Sequence, residues 1–144
     1  MKHILVATDF SAPSRAALEY AVDLAKAFRA HVTLLHAYEI PAYSYPDVAV
    51  PVPPDMDRAI TKAATRSLHD ACEPFAKSGV EIEVLVTRGK PWIEIERVAD
   101  EKQADMIVLG THARGPLGRV FLGSVAEKVV RVSRRAVLVV PSSE

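Results

Sequence analysis

The sequence is poor in cysteine: Cys72 is the only one among 144 residues. One thiol cannot staple a domain internally, and no Cys/His group has the spacing of a zinc site. Cys72 falls on the apolar face of an expected helix, where a thiol packs as a small hydrophobe. Charge of one sign is also missing. The 18 Lys and Arg balance the 18 Asp and Glu. This argues against a protein dedicated to nucleic acid or to a membrane surface, since either affinity rests on excess positive charge. Long apolar runs are absent too. The first stretch, MKHILVATDF, is broken at Asp9, too early for a signal peptide or a membrane span. A reducing, cytoplasmic setting is expected, with no membrane and no nucleic-acid partner.

What the chain does contain is 49% hydrophobic residues, enough for a two-sided core, in a length that suits one domain spanning residues 1–144. Short apolar runs alternate with amphipathic stretches. Residues 4–7 read as a strand covered on both faces. Ser11 then offers an N-cap, Pro13 sits in the first helical turn, and Leu18, Ala21, Val22, Ala25 and Phe28 follow at helical spacing. HVTLL at 31–35 is a second strand.

The next segment, YEIPAYSYPDVAVPVPPD at 38–55, holds five of the ten prolines and reads as a loop insertion. A second helix is expected over 56–77, with Ile60, Ala63, Ala64, Ser67, Ala71 and Phe75 inward and a kink at Pro74. Strands follow at 80–87, 105–110 and 136–140, the last ended by Pro141. Between them, one helix starts at Pro91 and buries Trp92, Ile95, Val98 and Ala99. Another covers 124–133, with Val125, Val129 and Val132 inward.

Strict β-α alternation implies a parallel five-stranded sheet with helices on both faces. Such sheets bind ligands beyond the carboxyl ends of their strands, where the winding reverses. Two strand orders suit the pattern, 2-1-3-4-5 and 3-2-1-4-5. The second places the first and fourth strands side by side. It would bring Thr8-Asp9 against the long connection from Gly110 to Gly123, the two stretches with unusual polar chemistry after a strand.

That connection, within VLGTHARGPLGRVFLGSVAEKV, is several times longer than an ordinary strand–helix loop. It ends in Gly123-Ser124 at a helix start, where free N–H groups and the positive end of the dipole attract an anion. Gly110 can leave the strand in a conformation that other residues avoid. Ser124 is the expected N-cap and adds a hydroxyl, while His112, Arg114 and Arg119 supply donors or charge. A phosphate chain is the natural guest. His36, at the end of the second strand, is read as structural.

The chain resembles the universal stress protein family in its small single-domain form. The resemblance rests on ILVATDFS, VTLLHAY, RGKPWIEIERVADEKQADMIVLGTHA and LGSVAEKVVRVSRRAVLVV, which together run through nearly the whole length. It implies the 3-2-1-4-5 sheet of a Rossmann-like, adenine nucleotide alpha hydrolase-like fold. One branch of that family binds ATP through Gly, two residues, Gly, nine residues, Gly, then Ser or Thr. Here Gly110, Ala113, Gly123 and Ser124 stand at those positions with the spacing intact, and Ala113 replaces a glycine.

By this resemblance Thr8 and Asp9 flank the nucleoside, Asp9 accepting from the adenine amino group or nearby polar atoms. Ala37 walls the adenine, Leu109 and Gly110 lie under the ribose, and His112, Ala113, Gly123, Ser124 and Val125 hold the phosphates. Mg²⁺ is expected with the triphosphate. A homodimer through the last strand, Ala136 to Val140, is expected as well. Hydrolysis is expected to be slight or absent, because no Gly-x4-Gly-Lys-Ser/Thr loop is present and nothing is arranged to activate an attacking water. The place after the first strand reads ATDFSAPS and lacks the Ser-Gly-Gly-x-Asp-Ser run of ATP pyrophosphatases; the His-x-Gly-His run of nucleotidylyltransferases is missing too. A dimeric stress protein that acts through partners without nucleotide is the alternative.

Overall fold

Apolar strands that must be covered on both faces assemble here into one sheet between two helical layers. The computed structural model describes residues 1–40, 44–45, 48–49, 51–112 and 122–142. In chain order the elements are β1 (His3–Ala7), α1 (Ala12–Phe28), β2 (His31–Tyr38), β3 (Ser44–Tyr45), β4 (Val48–Ala49), α2 (Pro54–Cys72), β5 (Ile82–Arg88), α3 (Pro91–Glu101), β6 (Met106–His112), α4 (Ser124–Val132) and β7 (Ala136–Ser142). The main sheet has the order β5-β2-β1-β6-β7, all parallel. Counting only its own strands, this is 3-2-1-4-5. β3 and β4 form a separate two-stranded antiparallel pair within the proline-rich insertion.

Side chains alternate between the two faces of each strand. Ile4, Val6, Val32, Leu34 and Val108 turn toward α1 and α2, and pack with Leu18, Val22 and Leu68. Leu5, Leu35, Ile107 and Leu109 turn the other way and pack with Ile95, Val98 and Val129 of α3 and α4. Cys72 is half-buried against the first of these clusters, and burial raises its thiol pKa. Among the described residues no helix is long and apolar enough to cross a membrane.

Several expected boundaries shift for identifiable reasons. α2 stops at Cys72 and gives way to a 3₁₀ turn, Glu73–Phe75, rather than kinking and running on to residue 77. Pro74 has no N–H for the ladder, and the Asp70 carbonyl is taken instead by the tighter bond from the Glu73 N–H. The inward ridge of α2 centres on Ala64 and Leu68, which leaves Ala63 and Ser67 exposed on its flank.

Phe28 and Val132 were expected inside but are 55% and 46% exposed. Each is the last residue of its helix; the inward positions of α4 are Ala126 and Val129. Pro141 does not end the last strand. It lies within β7, paired with Thr111, and the strand continues to Ser142. β7 is an edge strand with a single neighbour, where a missing N–H is tolerated.

At the amino ends of the strands His3 is only 4% exposed. Its Nδ1 lies 3.1 Å from the Lys102 carbonyl and its Nε2 2.8 Å from Thr33 Oγ1. A carbonyl only accepts, so Nδ1 carries a proton; Nε2 meets the Thr33 hydroxyl, which also lies 3.3 Å from Glu83 Oε2. Burial, reinforced by the neighbouring His31, holds the His3 pKa below 6.5 despite the opposing Lys102 carbonyl. The unfolded chain therefore takes up a proton at a higher pH than the folded one. Stability from this group is full above pH 6.5 and is lost as pH falls through the lowered folded value. Melting curves between pH 7.5 and 5 should show a falling Tm, and His3→Gln should flatten that slope. An identical slope in the variant would assign the pH dependence to other groups.

Candidate functional site

A parallel sheet with right-handed crossovers directs the carboxyl ends of its strands and the amino ends of its helices to the same side. At that side the described residues form a cleft of ≈ 350 Å³. Its walls come from the ends of β1, β2 and β6 and the starts of α1, α3 and α4. Thr8, Asp9, Ala37, Leu109, Gly110, His112, Gly123, Ser124 and Val125 all line it. These are nine of the ten site residues expected from sequence. The tenth, Ala113, lies outside the described residues, as do Arg114 and Arg119.

A polar part of the lining is the turn from β1 into α1. Thr8 N–H donates to the Leu35 carbonyl at 2.9 Å, which ties the end of β1 to β2. The Thr8 hydroxyl donates to Ser14 Oγ at 2.9 Å and accepts from the Phe10 N–H at 3.0 Å. Asp9 Oδ1 accepts from the Ser11 N–H at 3.0 Å and from the Ser11 hydroxyl. Burial alone would raise the Asp9 pKa, but the hydrogen bonds from Ser11 and Ser14 outweigh it and hold the carboxyl below its ordinary value. Asp9 is thus an anion at neutral pH. It suits a ligand group that donates hydrogen bonds and repels a phosphate.

A second part of the lining is the start of α4. Gly123 is the N-cap, at φ −60° and ψ 162°, and Ser124 is the first helical residue; the expected cap on Ser124 is displaced by one position. Glycine has no side chain to accept from the helix, and among the described residues no side chain caps α4. The N–H groups of Ser124, Val125 and Ala126 precede the first intrahelical bond, from Glu127 to the Gly123 carbonyl at 2.9 Å. By contrast, α1 carries a capping serine at Ser11. Among the described residues, a Cβ built on Gly123 would meet nothing within 4 Å. An open, dipole-bearing helix start therefore faces a space that a larger residue would enter.

Gly110 plays a different part from the one expected. It stays in the ladder opposite Val140 and is not among the residues with positive φ. A Cβ there would sit 2.1 Å from the Pro13 carbonyl oxygen and 2.7 Å from the Ser14 nitrogen. Its requirement for glycine is close approach: β6 passes directly against the first turn of α1.

Sequence reading missed Ser11, Pro13 and Ser14 as lining residues, along with Pro91 and Ile95 of α3. The signal for Pro91 was present. Once the strand order is fixed, a helix that starts after β5 must present its amino end at this side. Among the described residues no group of three or more His, Cys, Asp or Glu is placed to hold a metal ion.

The family model for the universal stress protein family matches residues 1–141. The chain belongs to that family. Within it, the universal stress protein YxiE of Bacillus subtilis is 34% identical over 143 residues, covering 95% of this chain and 97% of that protein. The crystal structure of a universal stress protein family member from Burkholderia pseudomallei superposes with a TM-score of 0.76 at 28% identity, over 98% of this chain and 96% of the other. A universal stress protein crystallised in complex with cAMP is likewise 28% identical, with a TM-score of 0.70, over 99% of this chain and 98% of the other.

Proposed function

We propose that this universal stress protein is a regulatory protein of the cytoplasm that binds an adenine nucleotide, ATP, in the cleft at the carboxyl ends of β1 and β6. The observation that carries the reading is the start of α4 in the lining of that cleft, where among the described residues no side chain makes a capping hydrogen bond and a Cβ on Gly123 would meet nothing within 4 Å. These two parts of the lining assign the ligand a direction. The Asp9 carboxylate accepts from the base amino group, and the N–H groups of Ser124, Val125 and Ala126 receive the phosphates. Ala37 and Leu109 provide apolar walls for the base and ribose between them. The complex of a 28% identical family member with cAMP supports an adenine nucleotide as the guest class. Mg²⁺ would arrive on the triphosphate, held largely by phosphate oxygens and water. The role is one of binding and signalling, with ATP hydrolysis slight or absent.

A second copy completes the reading. The outer side of β7 has no neighbour in the main sheet. A two-fold that pairs it antiparallel with itself removes both open edges. Sedimentation equilibrium should then return twice the 15.7 kDa chain mass; a species of single mass at micromolar protein would contradict the dimer. For the nucleotide, denaturing the purified protein and chromatographing the supernatant should release ATP or ADP in proportion to the chain.

A further inference from the structure

We propose that His36, which is not one of the residues lining the cleft, is the positioning residue that aims Asp9 at the base; the proposal rests on the nucleotide reading above. His36 lies one residue before Ala37 on β2 and so faces the opposite side of the sheet. Its Nδ1 donates to the Thr8 carbonyl at 2.8 Å, which fixes the tautomer because a carbonyl only accepts. Its ring packs against Phe10, with centroids 4.5 Å apart and planes inclined by 38°.

Thr8 and Phe10 are the two neighbours of Asp9, so one side chain holds the peptide before it and the residue after it. Phe10 needs that support. Its φ of 66° is in the left-handed region, which phenylalanine avoids. Phe10 is also packed against the edge of the α1-side core, and it is bonded through its N–H to Thr8 Oγ1 and through its carbonyl to Arg15 Nη1 at 3.1 Å. The bond to Thr8 depends on Thr8 being in place, the bond to the carbonyl comes from an exposed arginine, and the His36 ring is the aromatic partner of the Phe10 side chain. Without His36, Phe10 can relax toward negative φ, and the Asp9 carboxylate turns with it. Among the described residues no hydrogen bond joins the start of α4, which would receive the phosphates, to His36, Thr8, Asp9 or Phe10.

The consequence is a change in base discrimination rather than in phosphate affinity. Inosine triphosphate differs from ATP in lacking the exocyclic amino group that Asp9 accepts from. Calorimetric titration of the full chain with each nucleotide and Mg²⁺ reads the ratio directly. Wild type should prefer ATP about tenfold, the worth of one hydrogen bond to a charged acceptor. His36→Leu should bring the two affinities within about twofold by weakening ATP and leaving inosine triphosphate unchanged. His36→Asn should keep part of the preference, because its amide nitrogen stands as many bonds from the backbone as histidine Nδ1 while the ring against Phe10 is lost. Should His36→Leu fail to fold, His36→Gln, whose donor is displaced by one bond, takes its place with the same expectation.

A wild-type ratio in the leucine or glutamine variant overturns the proposal. An equal loss for both nucleotides does so too, since that is what a merely structural role produces, and so does an asparagine variant no better than leucine. Wild type binding both nucleotides equally removes the link to Asp9 and overturns this proposal alone. Wild type binding neither overturns the nucleotide reading as well.

Discussion

Gly123→Val abolishes ATP binding and leaves the fold nearly as stable as before. The backbone at Gly123, φ −60° and ψ 162°, is open to any residue, and among the described residues a Cβ there meets nothing within 4 Å. Valine is therefore accommodated without strain. It costs less than about 1 kcal/mol as a poorer N-cap than glycine. Its methyl groups, however, fill the space over the N–H groups of Ser124, Val125 and Ala126. A phosphate excluded from that helix start loses its hydrogen bonds and the dipole together. The expected loss is at least about a hundredfold in affinity, on the order of 3 kcal/mol. Melting and calorimetry on the same sample separate the two effects. Undiminished affinity would place the phosphates elsewhere.

Gly110→Ala has the opposite profile, damaging the fold first and binding as a consequence. The new methyl would stand 2.1 Å from the Pro13 carbonyl oxygen and 2.3 Å from its carbon. These are backbone atoms of the first turn of α1, so no side-chain rotation relieves the contact. Either β6 or α1 must move. Overpacking of this kind costs about 3 kcal/mol, which lowers Tm by roughly 10 °C in a chain of this size. Because the displaced turn carries Ser11 and Ser14, which hold Asp9 and Thr8, ATP affinity should also fall in whatever fraction remains folded. An alanine variant with wild-type Tm would show that the strand and helix have slack that the packing does not reveal.

These two glycines illustrate how much of the site was legible beforehand. Both were picked from their places at a strand end and a helix start and from the resemblance to the family's ATP-binding pattern, and both line the cleft. Their physical duties differ, and that difference is invisible in sequence. Gly110 answers to a helix that is distant in the chain, whereas a Cβ on Gly123 meets no described atom within 4 Å. Thr8-Asp9 was legible because two polar residues directly after a buried strand must sit at a strand end. Its internal bonding, from Thr8 to Ser14 and from Asp9 to Ser11, follows from the N-cap geometry of α1 and was only partly foreseen.

The alternation of strands and helices fixed the layer architecture. It left two strand orders open, since period and length do not say which strands become neighbours. Helix and strand ends were the least legible. Whether Pro141 ends a strand depends on its lying at a sheet edge, and whether Phe28 or Val132 is covered depends on how far a helix outruns the sheet. His36 read simply as structural, because only the folded chain brings it to both neighbours of Asp9.

The central claim is that the cleft between Asp9 and the start of α4 holds an adenine nucleotide. Titrating ATP with Mg²⁺ into the purified, nucleotide-stripped protein by isothermal calorimetry tests it most directly. The account predicts saturable heat with one site per chain, lost in Gly123→Val. Absence of heat at millimolar nucleotide would contradict it, and would leave this universal stress protein to act through its surfaces alone.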